Sequence, residues 1–245
     1  MINKEIVKTG FVLKNVVYGE SDGIVTILTE DGLVTFKARG INKLTSKNKA
    51  SCLLYSKSEF TLEESKKNYL VLTKGKLISS NYELYSSLDY MVCLGVVSES
   101  ITSFLDSNTS KEIYNLFQAM TECLTNHFDI FTITAIFLAK ITIEAGYGLD
   151  ISRCVRCSNR DKIVFMSYND GGFVCKRCLN PHEEVQSSEY LKSIRYTFMV
   201  TEDNYFHYEL KREISLKLIR EYIRYLQEAF GFKKLNFFEL FDQTY

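Results

Sequence analysis

This sequence has no Gly-x4-Gly-Lys-Ser/Thr loop, no paired histidine ligands and only three histidines in 245 residues. Without that loop there is no cradle of backbone N–H groups for a nucleotide's phosphates, and Thr73-Lys-Gly-Lys76 does not replace it. The shortage of histidine leaves little from which to build a zinc nuclease. No targeting segment is expected, because Met-Ile-Asn-Lys-Glu leads directly into a strand-like run. The most apolar stretch, 130–145, is broken by threonines, Lys140 and Glu144, and is too short to span a bilayer; it reads as a buried core helix. No segment is low in complexity or polar enough to be disordered. Acidic residues are absent from 32–58, although the chain as a whole carries zero net charge.

Against these absences stand four cysteines in two tight pairs, Cys154 with Cys157 and Cys175 with Cys178, spaced Cys-x2-Cys-x17-Cys-x2-Cys. Each pair puts two thiolates on one short knuckle. The 17 residues between them suffice for a hairpin: a strand over 163–168, a turn over 169–172 and a return over 172–175. This spacing predicts one closed tetrahedral zinc site. Four thiolates leave no position for water or substrate, so the zinc is expected to be structural. His182, four residues after Cys178, could replace a ligand but reads as a surface residue after Pro181. A zinc deaminase would need His-x-Glu upstream of Pro-Cys-x-x-Cys, and neither half is present. Seven cysteines, an odd number, argue against a disulfide framework. Reduced thiols, no targeting segment and no membrane span together predict a cytoplasmic protein.

The charge is unevenly placed. Residues 1–80 hold 13 Lys and Arg against 8 Asp and Glu, and the remaining 165 hold 17 against 22. Within the acid-free stretch lie Lys37, Arg39, Lys43, Lys47, Lys49 and Lys57. A concentrated stripe of one sign raises the local potential even on a neutral molecule, and its natural partner is a polyanion. Lys37 and Arg39, two residues apart, would share a strand face. Lys43, Lys47 and Lys49 would follow on a flexible connection. Such a cluster can grip phosphates without reading sequence; a solvated loop that touches nothing would show the same composition. Phe36, Tyr55 and Tyr69 could stack bases, although barrel core is the simpler role for each. The cysteine module carries Arg153, Arg156, Arg160, Lys162, Lys176 and Arg177, which could border a DNA path or merely offset the thiolate charge.

The fold class is α+β with more than one domain. Strands are predicted over 10–18, 24–29, 33–38, 53–62 and 69–78, with Asp31-Gly32 as a hairpin turn and a long basic connection between the third and fourth. Five short strands in this arrangement fit a small Greek-key barrel such as an OB-fold over residues 1–80. After Ser80 the apolar period becomes helical. Leu84, Leu88, Met91 and Val92 form one stripe, and Ile113, Leu116, Phe117, Met120 and Leu124 another behind the cap Ser110. The helix from Ile130 would sit at the centre of the bundle and end near Gly146 and Gly148. The helical domain, 81–245, is interrupted by the cysteine module at about 150–182, resumes near Ser187, and ends in a helix with Ile219, Ile223, Leu226 and Phe230 on one face, stopped by Gly231.

Six segments follow one another along the chain: Gly10-Phe-Val-Leu-Lys-Asn-Val-Val-Tyr-Gly-Glu20, Ile24-Val-Thr-Ile-Leu-Thr-Glu30, Gly32-Leu-Val-Thr-Phe-Lys-Ala-Arg-Gly40, Tyr82-Glu-Leu-Tyr85, Glu144-Ala-Gly-Tyr-Gly-Leu-Asp150 leading into Cys154, and Phe230-Gly-Phe-Lys-Lys-Leu-Asn-Phe-Phe238. In this order they resemble the RecO family of bacterial recombination mediators. The resemblance covers essentially the whole chain. It implies an N-terminal OB-fold, a helical C-terminal domain with a zinc module, and no catalytic turnover. It further implies binding of single- and double-stranded DNA, annealing of complementary strands, cooperation with RecR, and help for RecA in displacing single-strand-binding protein, at the nucleoid of a bacterial cytoplasm. Some family members lack the cysteines, so zinc is expected to stabilise this chain without being the family's working part. A zinc-ribbon transcription factor or adaptor is the alternative; it would bind a protein or a specific promoter and would not anneal naked strands.

Overall fold

The computed structural model describes residues 5–80, 87–105, 109–122, 128–205, 207–231 and 233–245. They form two compact units, one of residues 1–94 and 106–124, the other of 95–105 and 125–245.

The first unit is built on a closed barrel of order β1-β2-β3-β5-β4. Strand β1 (Glu5–Tyr18) is long enough to pair twice, through residues 5–11 with β4 (Lys57–Glu64) and through 10–18 with β2 (Asp22–Thr29). The two pairings meet at Gly10, where an added Cβ would lie 2.4 Å from the Leu28 carbonyl oxygen; only glycine lets the strand pass between its neighbours. Strand β3 (Gly32–Ala38) pairs antiparallel with β2, and meets β5 (Leu70–Ser79) in parallel at Phe36 with Leu70 and Lys37 with Val71. This is the topology of an OB-like barrel. Alternate residues point inward, so Val12, Val25, Ile27, Phe36, Phe60 and Leu62 fill one core, in which the Phe36 and Phe60 ring centres are 5.1 Å apart.

The fourth strand starts at Lys57, not at residue 53 as the apolar run suggested. Tyr55 has φ +61°, its N–H donates to the Val12 carbonyl at 2.7 Å, and the Val12 N–H donates to the Ser56 carbonyl at 3.0 Å. Residues 53–56 are therefore a turn latched onto β1, and their apolar side chains serve the core without a ladder.

Helix α2 (Lys111–Thr121) belongs to this unit. Phe11, on β1, packs its ring against Tyr114 at 5.5 Å and Phe117 at 5.3 Å, while Lys57 Nζ donates to Gln118 Oε1 at 3.0 Å. The expected stripe Ile113, Leu116, Phe117 and Met120 is buried; Leu124 lies outside the described residues. Helix α1 (Leu88–Phe104) departs from its expected face, because Leu88 and Met91 are exposed while 92–94, 96, 97 and 101 are buried; Leu84 and the Tyr82–Tyr85 motif lie outside the described residues.

In the second unit, α3 (Ile130–Glu144) is buried on every side from Ile130 to Thr142. Its threonines are tolerated there because Thr134 and Thr142 each donate to the carbonyl four residues back at 2.7 Å, and Asp129 caps the first turn by accepting from Thr132 N–H at 2.7 Å. Around it pack α4 (Ser188–Met199) and α5 (Arg212–Phe230), whose Ile219, Ile223 and Leu226 face inward as the period required. Gly231, at φ +80°, ends α5 in the left-handed conformation. A further helix, α6 (Asn236–Thr244), follows without having been expected; the Glu99 carboxylate accepts the N–H groups of Asn236 and Phe237 at 3.0 and 2.7 Å and so caps it from a distant part of the chain. Between α3 and α4 sits the hairpin of β6 (Ile163–Ser167) and β7 (Gly172–Cys175). Among the described residues no helix is long and apolar enough to cross a membrane.

Candidate nucleic-acid interface and metal centre

The hairpin brings the two cysteine knuckles together. Cys154 N–H donates to Asn159 O and Ser158 N–H to Cys154 O, both at 2.7 Å, closing the first knuckle; Cys175 ends β7, and Cys178 closes a single 3-10 turn. The four Sγ atoms lie within 4.8 Å of one another, a set that can hold a metal ion. The Cys157 thiol is drawn down to about 6 by the Asn159 backbone N–H first, then by Cys178 and Arg177. The Cys178 thiol is pushed up to about 12 by Cys157 beside it, because neighbouring sulfurs compete for one proton. His182 is exposed and outside this cluster.

Arg156 is not available to a ligand. It donates to Asp170, to Glu183 and to the Cys178 carbonyl, joining the first knuckle to the hairpin turn and to the backbone of the last cysteine. Its guanidinium holds the Glu183 carboxyl down at about 2. Arg153 pairs with Asp150 at 3.3 Å. Arg160, Lys162, Lys176 and Arg177 stay exposed.

On the barrel, a groove of about 530 Å³ is lined by Tyr18 at the end of β1, Ile24 on β2, Thr35 and Lys37 on β3, and Lys67 and Tyr69 from the β4–β5 connection. The connection is held in one shape: Ser65 Oγ accepts the N–H groups of Lys67 and Tyr69, both at 3.3 Å, and Asn68 takes φ +58°. Tyr18 is 56 % exposed and Tyr69 40 %, so both rings can be reached. Lys37 Nζ lies 4.7 Å from the Tyr18 ring centre and 2.8 Å from Asp22 Oδ2. Asp22 Oδ1 accepts the Gly40 N–H at 2.8 Å. Together, the Lys37 and Gly40 bonds hold the Asp22 carboxyl below its usual range, and Asp22 raises Lys37 in turn.

Arg39 does not share a strand face with Lys37, since β3 stops at Ala38 where Asp22 captures the Gly40 N–H and starts a turn. Arg39, Lys43, Lys47 and Lys49 are exposed and make no ion pair among the described residues. Their connection is ordered by successive turns, with Lys43, Ser46, Lys49 and Cys52 N–H groups each bonded three residues back, and by Asn42 N–H donating to Ser21 O at 2.9 Å. Lys57, counted with the stripe, instead reaches Gln118 and lies 5.4 Å from the Phe11 ring centre. Phe36 and Tyr55 are buried and cannot stack a ligand. Sequence reasoning missed Tyr18, Lys67 and Asp22 at the groove. Tyr18 and Lys67 flank turns, which is the signal that could have found them, because the loops joining the first and fourth strand pairs border the binding face of an OB-fold.

Two families match the chain: one described as Recombination protein O N terminal, over residues 1–81, and one described as Recombination protein O C terminal, over residues 86–236. The chain is 28% identical over 194 residues to the DNA repair protein RecO of Caldicellulosiruptor bescii, covering 78% of this chain and 79% of that one. It is 25% identical over 244 residues to the DNA repair protein RecO of Acetivibrio thermocellus, covering 96% of each. With the DNA repair protein RecO of Halalkalibacterium halodurans it shares 27% identity over 216 residues, 85% of this chain and 81% of that.

Proposed function

The chain belongs to the RecO family of DNA repair proteins, and from that membership we propose that it is a recombination mediator which binds single- and double-stranded DNA and anneals complementary strands without catalytic turnover. The observation that carries this reading is the barrel groove, where Lys37 and Lys67 stand beside the exposed rings of Tyr18 and Tyr69 on the face between the β1–β2 and β4–β5 turns. Cations release the counterions condensed on a phosphate backbone, and exposed rings stack any base, so the pairing of the two takes single strands without reading their sequence. Lys37, Arg39, Lys43, Lys47 and Lys49 form the phosphate track, continuing from the groove onto the ordered basic connection.

In this reading residues 1–80 are the DNA-binding domain, and 81–245 form a helical domain whose module at about 150–182 is held by one structural zinc. The donor set fits the ion. Metal–sulfur bonds of about 2.3 Å in a tetrahedron separate the sulfurs by about 3.8 Å, and Cys157 and Cys175 Sγ are 3.7 Å apart. Cys154, Cys157, Cys175 and Cys178 would hold it with no position left for water, so it contributes folding free energy and no chemistry. RecR, single-strand-binding protein and, indirectly, RecA are the protein partners that accompany such a mediator in the cytoplasm, where it works on nucleoid DNA.

The test is annealing by the purified chain: complementary oligonucleotides should pair faster in its presence, with binding that falls steeply with salt and varies little with sequence. Binding confined to one duplex sequence, without annealing, would favour a zinc-ribbon transcription factor.

A further inference from the structure

We propose that Asp22 is a built-in phosphate surrogate, a carboxylate that engages Lys37 at the groove and must hand it over when a strand enters, limiting how tightly DNA is held. The inference rests on the groove being the DNA site.

Lys37 is the least available cation of the track. Its side chain is 21% exposed, its ammonium is bonded to Asp22 Oδ2 at 2.8 Å, and the Tyr18 ring lies beneath it at 4.7 Å. Among the described residues Arg39, Lys43, Lys47 and Lys49 make no ion pair, and although the Asp22 charge also acts on Arg39, all four are exposed and more open to phosphates than Lys37. A phosphate reaching Lys37 exchanges one ion pair for another. The DNA loses a condensed cation, but the released carboxylate recruits one, and the net counterion release that drives nonspecific affinity falls toward zero for this residue.

Asp22 is built to survive that exchange. Its other oxygen accepts the Gly40 N–H at 2.8 Å, and its carbonyl accepts Asn42 Nδ2 at 2.8 Å, so the start of the basic connection stays tied to β2 whether or not Lys37 is engaged. One carboxylate thus fixes the connection with one oxygen and moderates the groove with the other. A protein that must let annealed product go gains from such a moderated contact.

The experiment measures binding of a fluorescent oligothymidylate across a salt series for the native chain, Asp22→Asn, Lys37→Ala and the double variant. Asparagine keeps an acceptor for Gly40 while removing the charge. Asp22→Asn should bind roughly two- to fivefold more tightly, with a log–log salt slope steeper by about 0.7, the value of one additional single-strand phosphate contact. Lys37→Ala should bind more weakly, and the double variant should match it, because the gain acts through Lys37. If Lys37→Ala weakens binding but Asp22→Asn leaves affinity and slope unchanged, Asp22 is merely a loop tether and the inference falls while the groove stands. A gain that persists in the double variant reflects general loss of negative charge and also overturns it. No effect of Lys37→Ala removes the groove itself as the DNA site, and the inference with it. Melting temperatures accompany each variant; should Asp22→Asn unfold, Asp22→Ser, which also keeps an uncharged oxygen acceptor, is read in its place against the same outcomes.

Discussion

Arg156 Nη1 donates to the carbonyl oxygen of Cys178 at 2.7 Å, so the residue between the first two cysteines grips the backbone of the last one. The same guanidinium reaches Asp170 in the hairpin turn and Glu183 beyond the second knuckle. Its work is to fix the spacing of the two knuckles before a metal arrives. Arg156→Ala should weaken zinc affinity by about tenfold, in the range seen when groups supporting metal ligands are removed, as read by competition with a chromogenic chelator. Unchanged affinity would leave Arg156 with only a surface role.

One zinc per chain is expected by elemental analysis of protein purified without chelator. Cys175→Ser should abolish stoichiometric binding and lower the melting temperature, because metal binding is coupled to folding of the module. A ligand variant that folded normally but lost a hydrolytic activity would make the metal catalytic.

Reversing Lys37 and Arg39 together to Glu should weaken DNA binding by roughly tenfold or more and make the salt slope shallower, with circular dichroism unchanged. Arg39 is exposed beyond the end of β3 and Lys37 lies on the barrel surface, so neither reversal disturbs the core. Undiminished affinity in the folded variant would move the DNA track to the helical unit or to the exposed Arg160, Lys162, Lys176 and Arg177.

Tyr69→Ala should reduce single-strand affinity by about 1–3 kcal/mol while leaving duplex affinity almost intact, since a ring can stack only on a base that is already unpaired. Equal losses on both substrates in a filter or anisotropy assay would show that Tyr69 supports the loop and does not stack.

Glu221 gives a pH signature in the helical unit. Burial pushes its carboxyl up to about 7, against the lowering effect of the hydrogen bond from Tyr168; Tyr190 donates to the same oxygen. The folded chain therefore holds a proton that the unfolded chain has lost, between the usual carboxylate range and about 7. Glu221 thus withdraws stability as the pH rises through that window. Glu221→Gln should leave stability near pH 4 little changed and raise it at about pH 8. The gain should fall well below the full ~3 kcal/mol of such a shift, because 24% of the side chain meets solvent and Lys217 Nζ, 3.8 Å from Glu221 Oε1, favours the ionised carboxylate. Chemical unfolding at the two pH values decides it; a loss of stability at the higher pH would mean that the ionised form is the one the site favours.

Some of this was legible residue by residue. Cys154, Cys157, Cys175 and Cys178 reveal their role through spacing, because a knuckle is a local structure and the hairpin between knuckles is announced by Asn169-Asp-Gly-Gly172. The five strands follow from short β-branched runs, and α3 from an unbroken apolar segment. Where residues 53–56 misled, the apolar signal was genuine, but it reported burial and not pairing: the Val12 backbone had already claimed Tyr55 and Ser56. The same limit explains α6, capped by a Glu99 more than a hundred residues away, and Lys57, drawn off to Gln118.

Which cations exist and which thiols form pairs follow from local order in the chain, because those properties depend on neighbours within a few positions; most strands and helices follow in the same way, but not the turn at 53–56 or α6. Tertiary structure decided which cations are free. Pairing β3 with β2 set Lys37 beside Asp22 and Tyr18, and closing β3 against β5 brought Lys67 and Tyr69 to the same groove, contacts across about 15 to 50 residues that no period in the chain encodes. A charge is written in the sequence, but its availability depends on what the fold places within a few ångströms of it.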